Sequence, residues 1–414
     1  MTASEKQPIS ICVVASGDWA SFSRVNCHEI ATRWTAFGRV CYIEPAPLRA
    51  PRLHDAGRLL GRLRGALRNR SGLEAARAAG QVEVVSPAFL PWSPVAPVRA
   101  WNVRAAARAV RRRTDEHQWP FHFDVLWFFS VSLAGLEAKI PHKLVIYHAV
   151  DDYAANPGVD PELLRRREAE LLGRADLAFT VSEPLAERLR PRHRRVVLWE
   201  NVSDTEPLLE AVQGRSNTKR QGDPPTAAFV GNLSAHKVDF VLLLEVVRGM
   251  TDWRFVLAGP LGDLGDAGRR VLKESNVRYV GPVHRTDLPR LFADADVGLL
   301  PIPPSGLHES SFPIKVFDYL ALGLPIVGRR SQPLQGLNDL ILPAESVEEY
   351  ARAMSAAIAL RRDDRFLTRA RRVSLENSWG PRIDALARTI RQELARRAPT
   401  TCGAPGAIPV ASRP

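Results

Sequence analysis

Short apolar runs alternate along this chain with longer segments whose apolar positions recur every three or four residues. Residues 9–15 are almost continuously apolar, as in a strand buried on both faces of a parallel sheet. Beyond Arg24, Ile30, Trp34 and Phe37 recur at helical spacing. Gly38 then leads to a second strand at 40–43, closed by Glu44 and Pro45. This is a βαβ opening. The same reading predicts strands at 82–85, 123–129, 144–150, 177–181 and 196–199. Helices are predicted at 98–113 and at 161–172, where Pro161 suits a helix start because its missing N–H is not needed there.

The polar, Gly- and Pro-rich stretch 213–225 reads as a linker. A second series follows, with strands at 227–230, 255–257, 277–280, 297–300 and 326–327 and helices at 242–247, 347–359 and 381–396. Glycines 259, 262, 265 and 268 superficially resemble a phosphate loop. Their spacing is not G-x-G-x-x-G and aspartates interrupt it, so a strand-to-helix connection is expected. The pattern predicts an α/β chain of two doubly wound domains, 1–205 and 226–378, joined by a linker at 206–225. A last helix, 379–397, could return to the first domain, and a disordered tail, 398–414, would follow it. Sheets of this kind bind ligands at their strand C-terminal ends, so the two domains should share one central cleft.

Composition narrows the class. At 414 residues the chain exceeds one core, and 45% apolar content supports two. No stretch approaches the roughly 20 apolar residues of a membrane span, and the first residues show no basic and apolar leader. A cytoplasmic location is expected. Cys12, Cys27, Cys41 and Cys402 have no disulfide or zinc spacing and read as core filler. The net charge of +12 calls for an anionic partner. Part of that charge lies at 48–70, where seven arginines accompany one aspartate and Leu53, Ala56, Leu60, Leu63 and Leu67 form one face. Such a helix is either a solvated surface or one that rests on anionic lipid. Nucleic acid is disfavoured, since no aromatic residues interleave the arginines to stack on bases.

The stretch 309–327 concentrates the candidate chemistry. A polar loop with Ser310 and Ser311 opens a short helix carrying Lys315 and Asp318 on one face, and Gly323 stops it. Helix-start amides and a lysine suit a nucleotide diphosphate, and a carboxylate one turn on can accept ribose hydroxyls. An ordinary amphipathic helix with solvated Lys and Asp has the same pattern.

Together with 229–237 (Phe-Val-Gly-Asn-Leu-Ser-Ala-His-Lys) and 288–301, this stretch resembles the nucleotide-sugar domain of GT-B glycosyltransferases. In the first half, 147–153 (Tyr-His-Ala-Val-Asp-Asp-Tyr), 161–170 and 175–184 resemble bacterial exopolysaccharide and cell-wall transferases of that fold. Arg24, Asn26 and His28 match an Arg-x-Asn-x-His pattern of the xanthan glucuronosyltransferase, a more distant likeness. The resemblance implies a GT-B fold of two Rossmann-like domains and a hexosyltransferase of surface polysaccharide assembly. It implies Asp151 as catalytic carboxylate and Gly231, Asn232, Lys237, Ser310, Ser311, Lys315 and Asp318 as donor-binding residues. Asp18, Arg24, Asn26 and His28 fall on the acceptor side. Two positions depart from the family: the Glu-x7-Glu of retaining members is Ser310-x7-Asp318, and the arginine that often follows the loop glycine is Asn232.

Sugar transfer needs a base for the acceptor hydroxyl and neutralisation of the leaving diphosphate. Asp151 can be that base, and Lys315 and Lys237 can serve the leaving group with no metal or other cofactor. Inversion is then expected. Asp151 and Asp152 could instead be a turn or capping pair, and Asp18, Arg24 and His28 a loop ion pair and a helix-surface histidine. The expected partners are a nucleotide-sugar, a lipid-linked saccharide acceptor and an anionic membrane surface, which would place the protein peripherally at the inner face of the cytoplasmic membrane. A sugar-nucleotide epimerase of GT-B fold and a non-catalytic nucleotide- or glycan-binding protein are the alternatives.

Overall fold

A computed structural model of the chain describes residues 7–21, 24–47, 82–91, 95–155, 159–212, 222–304 and 312–397. The basic segment at 53–67, Ser310, Ser311, residues 213–221 of the expected linker and the expected tail at 398–414 with Cys402 lie outside them.

The first half runs β1 (Ile11–Val14), α1 (Asn26–Trp34), β2 (Val40–Ile43), β3 (Val82–Val85), α2 (Ala96–Glu116), β4 (Phe123–Phe128) and β5 (His142–Ala149). It continues with α3 (Pro161–Leu172), β6 (Leu177–Thr180), α4 (Glu183–Leu189) and β7 (Val196–Leu198). Among the described residues these seven strands form one parallel sheet in the order β3-β2-β1-β4-β5-β6-β7. The second half comprises α5 (Glu206–Val212), β8 (Thr226–Val230), α6 (Phe240–Gly249), β9 (Arg254–Ala258), α7 (Gly265–Val271), β10 (Val277–Tyr279), α8 (Leu288–Leu291), β11 (Val297–Leu300), α9 (Lys315–Ala321), β12 (Ile326–Gly328), β13 (Ile341–Pro343), α10 (Val347–Leu360), α11 (Asp364–Glu376) and α12 (Trp379–Arg397). Its six strands form a second parallel sheet, β10-β9-β8-β11-β12-β13.

Each sheet is covered on both faces, and strand alternation assigns the sides. Cys12, Val14, Leu126, Phe128 and Tyr147 point to the layer of α2 and α3. Ile11, Val13, Val125, Trp127 and Ile146 point the other way, against Ile30, Ala31 and Trp34 of α1 and Trp379, Ile383, Leu386 and Ile390 of α12. The last helix therefore belongs to the core of the first half. Arg195 holds Glu393, and Arg397 holds Asp176, tying α12 down from the polar side.

The expected linker begins with a helix. Leu208 and Leu209 of α5 are buried in the second core with Phe317 of α9 and Phe366 and Val373 of α11, so this part of 206–225 packs as a domain element. The two chain crossings between the halves run side by side. The Ser203 N–H donates to Asn377 O at 3.0 Å, Ser203 pairs with Ser378 in a parallel bridge, and Thr205 Oγ1 donates to Ser374 O at 2.8 Å.

Candidate functional site

The C-terminal ends of β5 and β8 bring a carboxylate and an amine together. Asp151 follows β5, and Lys237 lies in the loop after β8. Lys237 Nζ stands 3.9 Å from Asp151 Oδ2 across the cleft. Asp151 and Asp152 divide their work. Asp152 is a turn residue: its Oδ1 accepts the Ala154 N–H, and Arg165 reaches its Oδ2 at 3.3 Å. Asp151 uses Oδ1 to accept the Asp152 N–H at 3.0 Å and leaves Oδ2 to the cleft. Burial pushes the Asp151 carboxyl above its ordinary range, and the Lys237 charge opposes that shift.

Lys315, the first residue of α9, stands behind Lys237. Its Nζ lies 4.0 Å from the centre of the Phe229 ring. It also lies so close to Gly231 that a side chain there would meet it at 2.7 Å, and Gly231 holds a φ of +147°, which suits glycine alone. Burial, then the neighbouring Lys237 charge, pushes the Lys315 ammonium down to about 7. Asn232 is exposed on the same loop. Buried Ser234, which the sequence did not single out, has a hydroxyl without a hydrogen-bond partner among the described residues.

Two donor-side expectations change. The helix start was to offer free amides, and two of them, the Val316 and Phe317 N–H groups, are taken by Pro313 O at 3.1 Å and Ile314 O at 3.0 Å. Asp318 was to face a ribose. It is 7% exposed and engaged through Oδ1: the Ser203 hydroxyl donates to it at 2.7 Å, and Arg285 pairs with it while donating to Ser203 at 2.7 Å. Asp318 thus binds the inter-half crossing to α9. No sequence signal could have named Arg285 and Ser203, which meet Asp318 only through the fold.

On the opposite side, the acceptor candidates form a local scaffold. His28 is fully buried: its Nδ1 accepts the Val25 N–H at 3.1 Å, and its Nε2 donates to Asp18 O at 2.9 Å. The expectation of a helix-surface histidine is corrected here, since α1 turns its first turn into the β1 loop. Among the described residues the ion-pair partner of Arg24 is Glu29 at 2.9 Å, and Arg24 also donates to Thr32 and covers Trp19. Asn26 donates to Asn201 Oδ1 at 2.6 Å, at the approach to the inter-half crossing. Asp18 is exposed. This scaffold approaches the Asp151 loop through Ser16, whose hydroxyl meets Cys27 Sγ at 3.6 Å and lies near Tyr153. Burial would raise the Cys27 thiol, but its hydrogen bonds to His28 and Tyr42 bring it to about 7. Among the described residues no group of three or more His, Cys, Asp or Glu could hold a metal ion.

Comparison with known proteins agrees with this architecture. Residues 224–359 match the family model described as glycosyl transferases group 1. Over 217 residues the chain is 28% identical to TuaH of Bacillus subtilis (strain 168), a protein assigned to teichuronic acid biosynthesis as a glycosyltransferase. The match spans 49% of this chain and 54% of TuaH, about half the length of that relative. Among solved structures, sucrose-phosphate synthase from Thermosynechococcus elongatus superposes with a TM-score of 0.66 at 13% identity, covering 94% of this chain and 100% of that one. HepE of Anabaena, solved with UDP, superposes with a TM-score of 0.61 at 14% identity, covering 94% and 98%. The chain has the GT-B fold, and residues 224–359 are similar to glycosyl transferases group 1.

Proposed function

We propose that this protein is a glycosyltransferase of surface polysaccharide assembly. It moves a sugar from a nucleoside-diphosphate donor in the second half to a saccharide acceptor in the first. The group 1 domain and the UDP bound by HepE support the donor class, and the TuaH likeness supports the polysaccharide. The observation that carries the reading is the approach of Lys237 to Asp151 across the cleft, with Lys315 behind it.

In this mechanism Asp151 takes the proton of the acceptor hydroxyl as that oxygen attacks the anomeric carbon. The bond to the diphosphate breaks, and the leaving charge falls on Lys315 and Lys237. Lys237 turns from Asp151 toward the phosphates when donor enters, which frees the carboxylate for the acceptor. A single displacement inverts the anomeric centre.

The test incubates protein and donor with and without acceptor membranes. Transfer only with acceptor supports the reading. Donor isomerised without acceptor points to an epimerase, and donor bound but unchanged points to a binding protein. NMR of the product reads its anomeric configuration, and retention of the donor's configuration would exclude single-step inversion.

The acceptor is proposed to be lipid-linked and met at the inner face of the cytoplasmic membrane. Among the described residues no helix is long and apolar enough to cross a membrane. The basic segment at 53–67 lies outside them, so its lipid contact rests on sequence. Each arginine near an anionic surface contributes about 1 kcal/mol. Replacing Arg58, Arg62 and Arg68 with glutamate should release the protein from anionic liposomes, and unchanged sedimentation at low salt would remove this segment from the membrane contact.

A further inference from the structure

A second basic site lies on the first half, at the sheet end that carries Asp151. The N-terminal part of α2 and the turn after β4 enclose a cavity of about 350 Å³, lined by Arg99, Arg104 and Lys139 over Val103 and Ala134. That size is within the range of small-molecule sites, roughly 300–1,000 Å³. No carboxylate lines it. Glu137, the acid in this turn, is spent elsewhere: it accepts from Arg174 Nη1 at 2.5 Å and from the Gly135 N–H at 2.8 Å. Among the described residues none of the three cations forms an ion pair. A further positive charge stands close by, since buried Arg167 of α3 is near enough to Arg99 to feel its repulsion.

Another arginine-lined cavity shows what an ordinary basic surface looks like here. Arg365, Arg369 and Arg372 of α11 line it, but Asp364 is part of the lining, Arg369 pairs with Asp339, and Arg372 lies 4.0 Å from Glu376. Its charges are answered within the chain. Among the described residues those of the α2 cavity have no such partner.

The helix that lines the cavity also exposes apolar side chains at and near its start. Val95, just before α2, and Trp101 on it are each 49% exposed. Tyr153 and Ala154, in the loop after Asp151, pack on the same core as Val103 and Ala134. A ligand here would carry an anionic head and a hydrocarbon tail and would lie on the acceptor side of the cleft.

We infer that the cavity of Arg99, Arg104 and Lys139 holds the diphosphate of an amphiphilic acceptor, with its hydrocarbon leaving over Val95 and Trp101. Arginine forks and a lysine suit the paired phosphates. The site would anchor the acceptor so that its sugar end reaches Asp151, and in this respect the inference rests on the function proposed above.

Calorimetry with decyl diphosphate tests it without turnover. The Arg99→Ser, Arg104→Ser, Lys139→Ser variant should bind this probe roughly ten-fold or more weaker than wild type, as expected for lost charge-assisted bonds at a partly solvated site. The Arg365→Ser, Arg369→Ser, Arg372→Ser variant loses the same charge from the other cavity and should bind it like wild type. Equal binding by the first variant, or an equal loss in the second, overturns the assignment. So does a wild-type protein that binds phosphatidylglycerol vesicles and not decyl diphosphate, since the patch would then be a membrane contact. UDP affinity is measured alongside. A protein that binds decyl diphosphate through these residues but no nucleoside diphosphate keeps the cavity and loses the proposed function.

Discussion

Lys237 Nζ and Asp151 Oδ2 stand 3.9 Å apart, one from each half, and this pair joins the two sides of the proposed reaction. Asp151→Asn keeps the shape of the side chain but cannot take a proton. Turnover should fall by about 10²-fold or more while UDP binding holds. Lys237→Ala removes the charge that opposes the burial of Asp151, so the acid limb of the kcat/KM profile should move to higher pH. An acid limb that stays in place would separate the lysine from the base.

Lys315 gives a prediction about binding and protons together. Lys315→Ala should weaken UDP binding by roughly 1.5 to 3 kcal/mol with the fold intact. In the free protein its ammonium is held at about 7 by burial and Lys237, and a bound diphosphate would raise it. UDP binding should therefore take up protons near pH 7 and weaken as the pH rises above that. Titrations in buffers of different ionisation enthalpy measure the uptake, and the variant should lose it.

Arg285 and Asp318 set a test of the buried ion pair beside the inter-half crossing. Arg285→Ala would leave a mostly buried carboxylate with only the Ser203 hydroxyl, at a cost of roughly 2 to 4 kcal/mol, less than for a fully buried pair because Arg285 is partly exposed. Arg285→Ala with Asp318→Asn should recover part of it. Urea denaturation of the four proteins of the cycle measures the coupling, and additive losses would show that the two side chains do not act as a pair.

His148 predicts an acid-sensitive fold. It is 1% exposed among Trp127, Phe129 and Phe179, and among the described residues neither ring nitrogen has a hydrogen-bond partner. Burial pushes its imidazole from 6.5 down to about 3. A depressed folded value means that this contribution is fully present above the unfolded value and is lost as pH falls from 6.5 toward 3. Between pH 6.5 and pH 5 the loss is about 2 kcal/mol. His148→Phe should flatten that part of the stability curve, read from urea midpoints at both pH values.

The sequence determined the layers of the fold. Strands at 40–43, 82–85 and 297–300 and the helix at 161–172 were legible to the residue, because buried parallel strands and amphipathic helices write their burial into adjacent positions. Short or basic elements were less legible. The strand Ile341–Pro343 is three residues at a sheet edge and ends in proline, while α11 buries only Phe366, Ala370, Val373 and Ser374 among its arginines. The lysines of the site were also visible, since each stands in a local loop or helix start.

Tertiary structure decided the partners. Ser203 and Asp318 lie 115 positions apart, and Asn26 and Asn201 lie 175 apart, so no local pattern announces either bond. The fate of Asp318 followed from the same cause: on its helix it is a carboxylate one turn from a lysine, and only the packing of the two halves brings Arg285 and Ser203 to it. Residues 151 and 152 are identical in type and adjacent in sequence, yet only Asp151 faces a cation from the other half, because a turn gives one carboxylate to the local backbone and the other to the cleft.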